Sequence, residues 1–291
     1  RNAVKFKFKD TKSYDNYWSA IASKIKPQST VFLSGEGVYS QINVETLLTP
    51  AETYLIEEYD LVLLTNTKEL LKEKVKPTIP NTPVFFANPS YYAVNNSSLS
   101  HENTVITQTV KQLDGAENEV KAIEKVLDKE KVDFQSYIFE NATEETLKEI
   151  DSPQFLHLAT HGYFIQNSSY SSANIDENRA IENPLLKSGL LLSNGGDLMD
   201  KEEFYNYNKS DGILTSLEAM NLNLDQTEFI VLSACETGLG EIKNGEGVYG
   251  LQRALQLAGA KTIIMSLFKV DDKVTKKLMT LFYENYYTTE D

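Results

Sequence analysis

Short apolar runs alternate with amphipathic helical patterns along most of the chain. Helical periodicity predicts helices at 10–25, 68–76, 143–150 and 247–257, and further helices that begin at 115 and 273. Apolar runs predict strands at 30–34, 61–65, 83–87, 134–138, 155–159, 189–192, 229–233 and 262–267. Repetition of a strand followed by a helix is typical of an α/β fold with a largely parallel sheet.

A polar stretch from 88 to 108, rich in Asn and Ser, interrupts this pattern. It lacks the apolar periodicity of a core element, so we predict a domain boundary or a long loop there. The predicted domains are residues 1–110 and 111–291. No further strand follows the last helix, so we expect the second domain to be clipped at its C-terminus.

Charge and cysteine content indicate which ligands and which cellular compartment to expect. The 291-residue chain has a net charge of −14, which disfavours nucleic acid as a direct ligand and favours cationic substrates. One cysteine cannot form an internal disulfide, and no apolar run approaches the ~20 residues that span a bilayer. We therefore expect a cytoplasmic protein without membrane contact. The chain begins with Arg1 rather than Met, so we expect a piece of a longer protein, whose targeting peptide could be lost.

Two reactive side chains follow predicted strands. His161 comes just after the run 155–159, and Cys235, the single cysteine, comes just after 229–233. Open α/β sheets place their ligands at the carboxyl ends of the strands. An imidazole beside a thiol acts as a base or stabilises the thiolate, so the pair predicts a nucleophile and its base. The backbone N–H groups of Gly162 and Cys235 are the candidate donors to an oxyanion.

Simpler roles stay open for several of these residues. A cysteine at a strand end is often only a small buried hydrophobic residue. His157 lies inside a predicted strand and is expected in the core, whereas His101 is expected at the surface. The G-x-G-x-x-G pattern at 245–250 lies too far from the preceding strand for a dinucleotide site, and Glu246 there suits a helix N-terminus. With so few His and Cys residues we expect no metal and no cofactor.

The histidine and cysteine segments resemble motifs of CHAT domains, the caspase-like domains found with tetratricopeptide repeats. The first motif is HLATHGYF at 157–164, and the second is VLSACETG at 231–238, followed by GEGV at 245–248. Further matching segments are GAENEV at 115–120, SGLLL at 188–192, AGAK at 258–261 and SLFKVDD at 266–272. The chain departs from the family at Phe268, where Trp is usual, and the family's C-terminal strand motif is missing.

The resemblance implies membership of a clan that includes caspases and separase. It implies a caspase-like three-layer α/β sandwich with a mostly parallel sheet, built from two caspase-like halves. Residues 1–110 would be a degenerate half, and 111–291 the active half. The implied activity is that of a cysteine endopeptidase with a His161–Cys235 dyad that cleaves a protein substrate. The family context also implies N-terminal tetratricopeptide repeats or a regulatory partner, and a role in bacterial defence or programmed cell death.

Separase-like members hold a basic P1 side chain with an acid in the segment that matches 266–272. The matching position is Asp272, so the resemblance implies cleavage after Arg or Lys. Asp271 and Glu236 are further substrate-binding candidates. The alternative for Asp272 is that it caps the helix from 273.

Two alternatives concern the function and the segment 165–183. A catalytically silent CHAT scaffold would bind partners without cleaving them, although an intact Cys235 and His161 favour an enzyme. The polar segment 165–183 is a surface loop, a lid over the cleft, or a site of self-cleavage after Arg179.

Overall fold

The computed structural model describes residues 10, 12–35, 39, 42–64, 67–71, 82–93, 109–164, 184–201, 210–233, 246–266 and 271–288. Two compact units divide the chain, Arg1–Val75 and Lys76–Asp291. The strands are β1 Thr30–Leu33, β2 Asp60–Leu63, β3 Val84–Pro89, β4 Gln135–Phe139, β5 Phe155–Ala159, β6 Gly162–Phe164, β7 Ser188–Leu191, β8 Ile213–Thr215, β9 Phe229–Leu232 and β10 Thr262–Met265. The α-helices are α1 Lys12–Tyr17, α2 Ser19–Ala22, α3 Leu55–Glu58, α4 Asp114–Glu130, α5 Glu144–Lys148, α6 Gly196–Lys201, α7 Ser216–Ala219, α8 Glu246–Leu257 and α9 Asp272–Thr288.

The smaller unit contains a parallel pair of strands, β1 and β2, in register from Thr30 opposite Asp60 to Leu33 opposite Leu63. Its buried core comprises Trp18, Val44, Leu47, Leu55 and Tyr59. The strands predicted at 30–34 and 61–65 are confirmed, and α1 and α2 fall within the predicted helix at 10–25.

The larger unit is built on a five-stranded sheet in the order β10-β9-β5-β3-β4. All four strand pairs are parallel. A connection between parallel strands must cross over the sheet, usually through a helix. Helix α4 connects β3 to β4, α5 connects β4 to β5, and α8 connects β9 to β10. A second sheet, antiparallel in the order β6-β7-β8, follows β5 directly.

Side chains along the central strands point alternately to the two faces of the sheet, and both faces are apolar. Phe85, Phe155 and Phe229 face one buried cluster, to which α4 and α9 contribute. Phe86, Leu156 and Ile230 face the other, to which α5, α7 and α8 contribute. The side-chain period of two therefore makes a three-layer sandwich, with helices on both faces of a sheet that is buried on both sides.

The fold predicted from the sequence is confirmed as a mixed α/β structure with a parallel five-stranded sheet. The antiparallel sheet was not predicted, because β6 and β8 have only three residues each and give no clear alternation. The compact units divide at Val75 and Lys76, and β3 pairs with β4 and β5 inside the larger unit. The division at residue 110 into a degenerate and an active caspase-like half stays a prediction. No helix in the described part of the chain is long and apolar enough to cross a bilayer.

A buried polar pair joins the central strand β5 to the helix layer. His157 is fully buried, and its Nε2 lies 2.9 Å from Oε1 of Glu119 on α4. Its Nδ1 lies 3.0 Å from the hydroxyl of Tyr283 on α9. A carboxylate only accepts hydrogen bonds, so Nε2 donates to Glu119. His157 is thus the core histidine that its position within a strand predicted.

We expect Glu119→Ala to lower the free energy of unfolding by about 1–3 kcal/mol, because it leaves a buried imidazole N–H without an acceptor. Urea unfolding near neutral pH measures the change. Glu117→Ala is the matched control on the same helix, since Glu117 forms an ion pair with the exposed Lys121, and its effect should be much smaller. Equal losses for the two variants would contradict a stabilising role for the buried pair.

Candidate active site

The carboxyl ends of β5 and β9 are neighbours in the sheet. The two strands are parallel, and Leu158 lies opposite Leu232. His161 is the third residue after Leu158, and Cys235 is the third residue after Leu232. The pairing continues one step beyond β9, because the Ser233 N–H donates to the Leu158 carbonyl over 2.9 Å. Residues 234–245, which include Cys235, Glu236 and the first residue of the 245–250 pattern, lie outside the described residues.

The His161 side chain is buried, with 5% of its surface exposed. Its Nε2 lies 2.7 Å from the backbone carbonyl oxygen of Lys111. A carbonyl can only accept, so Nε2 carries the proton that this bond requires. In the neutral ring Nδ1 then has the free lone pair. The geometry therefore assigns donor and acceptor roles to the two ring nitrogens, and Nδ1 is the one that can take up a proton.

A chain of hydroxyl groups holds the backbone beside His161. The Thr160 hydroxyl donates to the Leu191 carbonyl, so the Tyr91 hydroxyl, 3.0 Å away, donates to Thr160. The Tyr91 oxygen in turn accepts the His161 N–H over 3.3 Å. The rings of Tyr91 and His161 also contact each other, with centroids 5.1 Å apart. Burial raises the pKa of Tyr91 to about 12, so its hydroxyl stays neutral at physiological pH.

The backbone N–H of Gly162 is directed by the pairing of β6 with β7. The Leu191 N–H donates to the His161 carbonyl, and Gly162 lies opposite Leu190 in the antiparallel β6–β7 pair. Hydrogen-bonded and non-hydrogen-bonded pairs alternate along such a ladder, so Gly162 occupies a non-hydrogen-bonded pair. Its N–H therefore points away from β7, at the edge strand of the three-stranded sheet.

The two predicted acids at the start of α9 have different surroundings. Asp271 is the helix cap, because its Oδ1 accepts the N–H groups of Lys273 (3.0 Å) and Val274 (3.2 Å). The alternative that Asp272 caps this helix is thus wrong by one residue. Asp272 is exposed and lies against Gly115 in the first turn of α4, where a Cβ would come within 2.5 Å of its Oδ2.

The groups that contact His161 were not predicted from the sequence. Tyr91 lies within the polar stretch that was predicted to be a boundary or a long loop, and Lys111 is the third residue after that stretch. Tyr91 is 1% exposed and packs into a small core, although the stretch around it is rich in Asn and Ser. The contribution of Lys111 is a backbone carbonyl, which every residue type possesses. Neither the residue type nor the periodicity could have indicated it.

A family model described as the CHAT domain matches residues 14–291 of the chain. The match includes every candidate residue named above, from Tyr91 to Asp272. No curated protein matches the sequence.

We expect Asp271→Ala to destabilise the protein by about 1 kcal/mol, because α9 loses its N-cap acceptor. Asp271→Asn retains a cap oxygen and should cost little. Asp272→Ala, one residue further on, removes no cap and should also cost little. Thermal and urea unfolding of the three variants measure the differences. A loss for Asp272→Ala as large as that for Asp271→Ala would contradict this assignment of the cap.

Proposed function

Because the chain belongs to the CHAT domain family, which is caspase-like and related to proteases, we propose that it is a cysteine endopeptidase. The proposed nucleophile is Cys235 and the proposed base is His161. The reaction is hydrolysis of a peptide bond in a protein substrate.

The observation that supports this proposal best is the register of β5 and β9. Parallel neighbours lie about 4.8 Å apart, and three extended residues span about 10 Å at most. Since Leu158 and Leu232 are opposite each other, chain length allows residues 161 and 235 to meet beyond the same edge of the sheet. The protonation pattern of His161 adds support. Its Nε2 donates to the Lys111 carbonyl, so Nδ1 is the nitrogen that would accept the thiol proton.

The proposed mechanism follows from these roles. Nδ1 of His161 accepts the thiol proton, and the Cys235 sulfur attacks the carbonyl carbon of the scissile bond. The oxyanion accepts hydrogen bonds from the N–H groups of Gly162 and Cys235. The imidazolium then gives its proton to the leaving amine as the C–N bond breaks, which forms a thioester. Water, deprotonated by His161, attacks the thioester carbon and releases the acid product and the free thiol.

The proposed substrates have Arg or Lys at P1, bound by Asp272. Asp272 follows the carboxyl end of β10, and it contacts Gly115, four residues after the Lys111 whose carbonyl binds His161. It is exposed, and its carboxylate is not used as the helix cap, unlike that of Asp271. The net charge of −14 also favours a cationic substrate. Asp271 and Glu236 are proposed as secondary contributors to this acidic surface.

We propose that attached repeats or a partner regulate the enzyme, since an unregulated endopeptidase would damage its cell. The segment 165–183, which lies outside the described residues, is the candidate lid or self-cleavage segment. The second candidate function is a silent CHAT scaffold that binds protein partners. The described geometry favours the enzyme, because a scaffold has no need for a buried imidazole whose Nε2 is held by a carbonyl.

A peptidyl electrophile with P1 Arg should label the protein once, at Cys235, and intact-mass measurement would show the adduct. The chain has a single cysteine, so alkylation of the unfolded protein gives the full-occupancy reference. We expect His161→Ala to slow labelling and peptide cleavage by about 10²–10⁴-fold, the usual contribution of a positioned base. Cys235→Ala should abolish both. A folded wild-type protein that labels no faster than a free thiol would support the scaffold instead.

Peptides that differ only at P1 test the proposed pocket. We expect cleavage after Arg or Lys, and little after Asp or Met. Asp272→Asn should lower kcat/KM for P1 Arg by about 10- to 100-fold, because a hydrogen bond to a charged group contributes about 1.5–3 kcal/mol. Asp271→Asn removes the same charge one residue away and should have a much smaller effect. Equal cleavage after Asp, or equal losses in the two variants, would rule out Asp272 as the P1 acid.

A further inference from the structure

The Lys111 carbonyl that binds His161 belongs to a segment without regular secondary structure. Residues 110–113 precede α4, and a carbonyl on such a segment is fixed only if its neighbours are held. The backbone on both sides of Lys111 is held by side chains from the end of β3 and just beyond it. On the N-terminal side, the Val110 N–H donates to the Tyr92 hydroxyl over 3.0 Å.

Asn88 holds the C-terminal side of this segment. Its Oδ1 accepts the Leu113 N–H and the Gln112 side-chain amide, each over 2.7 Å. The same Gln112 nitrogen also lies 3.0 Å and 2.8 Å from the backbone carbonyls of Asn88 and Pro89. One buried oxygen thus binds the two residues that follow Lys111.

The backbone at Asn88 is shaped for this task. Asn88 is fully buried and has φ of +47°, in the left-handed region that Asn tolerates better than most residues. It stands where the β3–β4 register shifts, between Ala87 and Pro89. Its Nδ2 has no hydrogen-bond partner in the described part of the chain. An unpartnered buried amide N–H₂ costs stability, so any stabilising contribution of the side chain comes from its oxygen.

We propose that Asn88 is a positioning residue for His161. By accepting from Gln112 and Leu113, it fixes the Lys111 carbonyl, which keeps the proton of His161 on Nε2 and leaves Nδ1 free. Asn88 does not touch the reacting atoms and acts only through Lys111. Its importance for catalysis depends on the proposed role of His161 as the base, but the hydrogen-bond relay itself does not.

Asn88→Gly tests the relay most directly. Glycine adopts φ of +47° without strain, so this variant removes the oxygen and keeps the backbone. Asn88→Asp is the conservative variant, because it retains an acceptor oxygen and replaces the nitrogen that has no partner in the described part of the chain by a second oxygen. Asn194→Gly is the matched control, since Asn194 is exposed and also has positive φ, +70°.

The readout is hydrogen exchange of the His161 Nε2 proton with water, followed by NMR of protein labelled with ¹⁵N-histidine. The chain has three histidines, so the spectrum is simple, and His161→Ala assigns the signal. In Asn88→Gly we expect exchange at least about fivefold faster, as fits the loss of hydrogen bonds worth about 1 kcal/mol each. Asn88→Asp should restore slow exchange, and Asn194→Gly should leave it unchanged. The His157 Nε2 proton, bound to Glu119, reports that the core is intact.

Gln112→Ala tests the same relay from an exposed position, should Asn88→Gly fail to fold. Unchanged exchange in the folded Asn88 and Gln112 variants would overturn the proposal. So would an Asn88→Asp protein that exchanges as fast as Asn88→Gly. If the wild type cleaves peptides, Asn88→Gly should lower kcat with little change in KM. A wild type that cleaves nothing, yet shows the expected exchange pattern, would support the relay while refuting the proposed protease.

Discussion

The parallel pairing of β5 with β3 on one side and β9 on the other is the constraint on which the larger unit depends. Every residue of β5 is buried, so both of its faces must be covered and both of its edges paired. Alternation of side chains along β5 then assigns each helix to one face. The same pairing sets which residues emerge together at the carboxyl edge, where β5 leads into Thr160, His161 and Gly162.

Burial at this edge determines the chemistry of the side chains there. His161, Thr160 and Tyr91 are each at most 5% exposed, so water cannot satisfy their polar groups and protein partners must. The Lys111 carbonyl accepts a hydrogen bond from Nε2 of His161, and the Leu191 carbonyl accepts one from the Thr160 hydroxyl. Each of these acceptors fixes the direction of a hydrogen bond. The need for protein partners therefore also assigns the proton of the neutral imidazole to Nε2.

Polar residues inside this fold join elements that are distant in sequence. His157 ties β5 to α4 and α9, and Asn88 ties the end of β3 to the segment that precedes α4. Helix α4 is thus anchored at its N-terminus and along its buried face. The adjacent acids Asp271 and Asp272 differ in their contacts. Asp271 accepts hydrogen bonds from backbone N–H groups of α9, whereas Asp272 lies against Gly115 of α4.

The sequence by itself determined most of the strands, the parallel sheet, the core position of His157 and the placement of His161 and Cys235 just after two predicted strands. These features follow from periodicity and local motifs, which each segment contains within itself. Only the tertiary structure decided that these two strands are neighbours, that Tyr91 and Lys111 contact His161, and that Asn88 binds the residues after Lys111. It also decided that Asp271 caps α9 and that the Gly162 N–H points away from β7. Those facts depend on backbone carbonyls, strand register and contacts between residues far apart in the chain, and no local pattern of residue types encodes them.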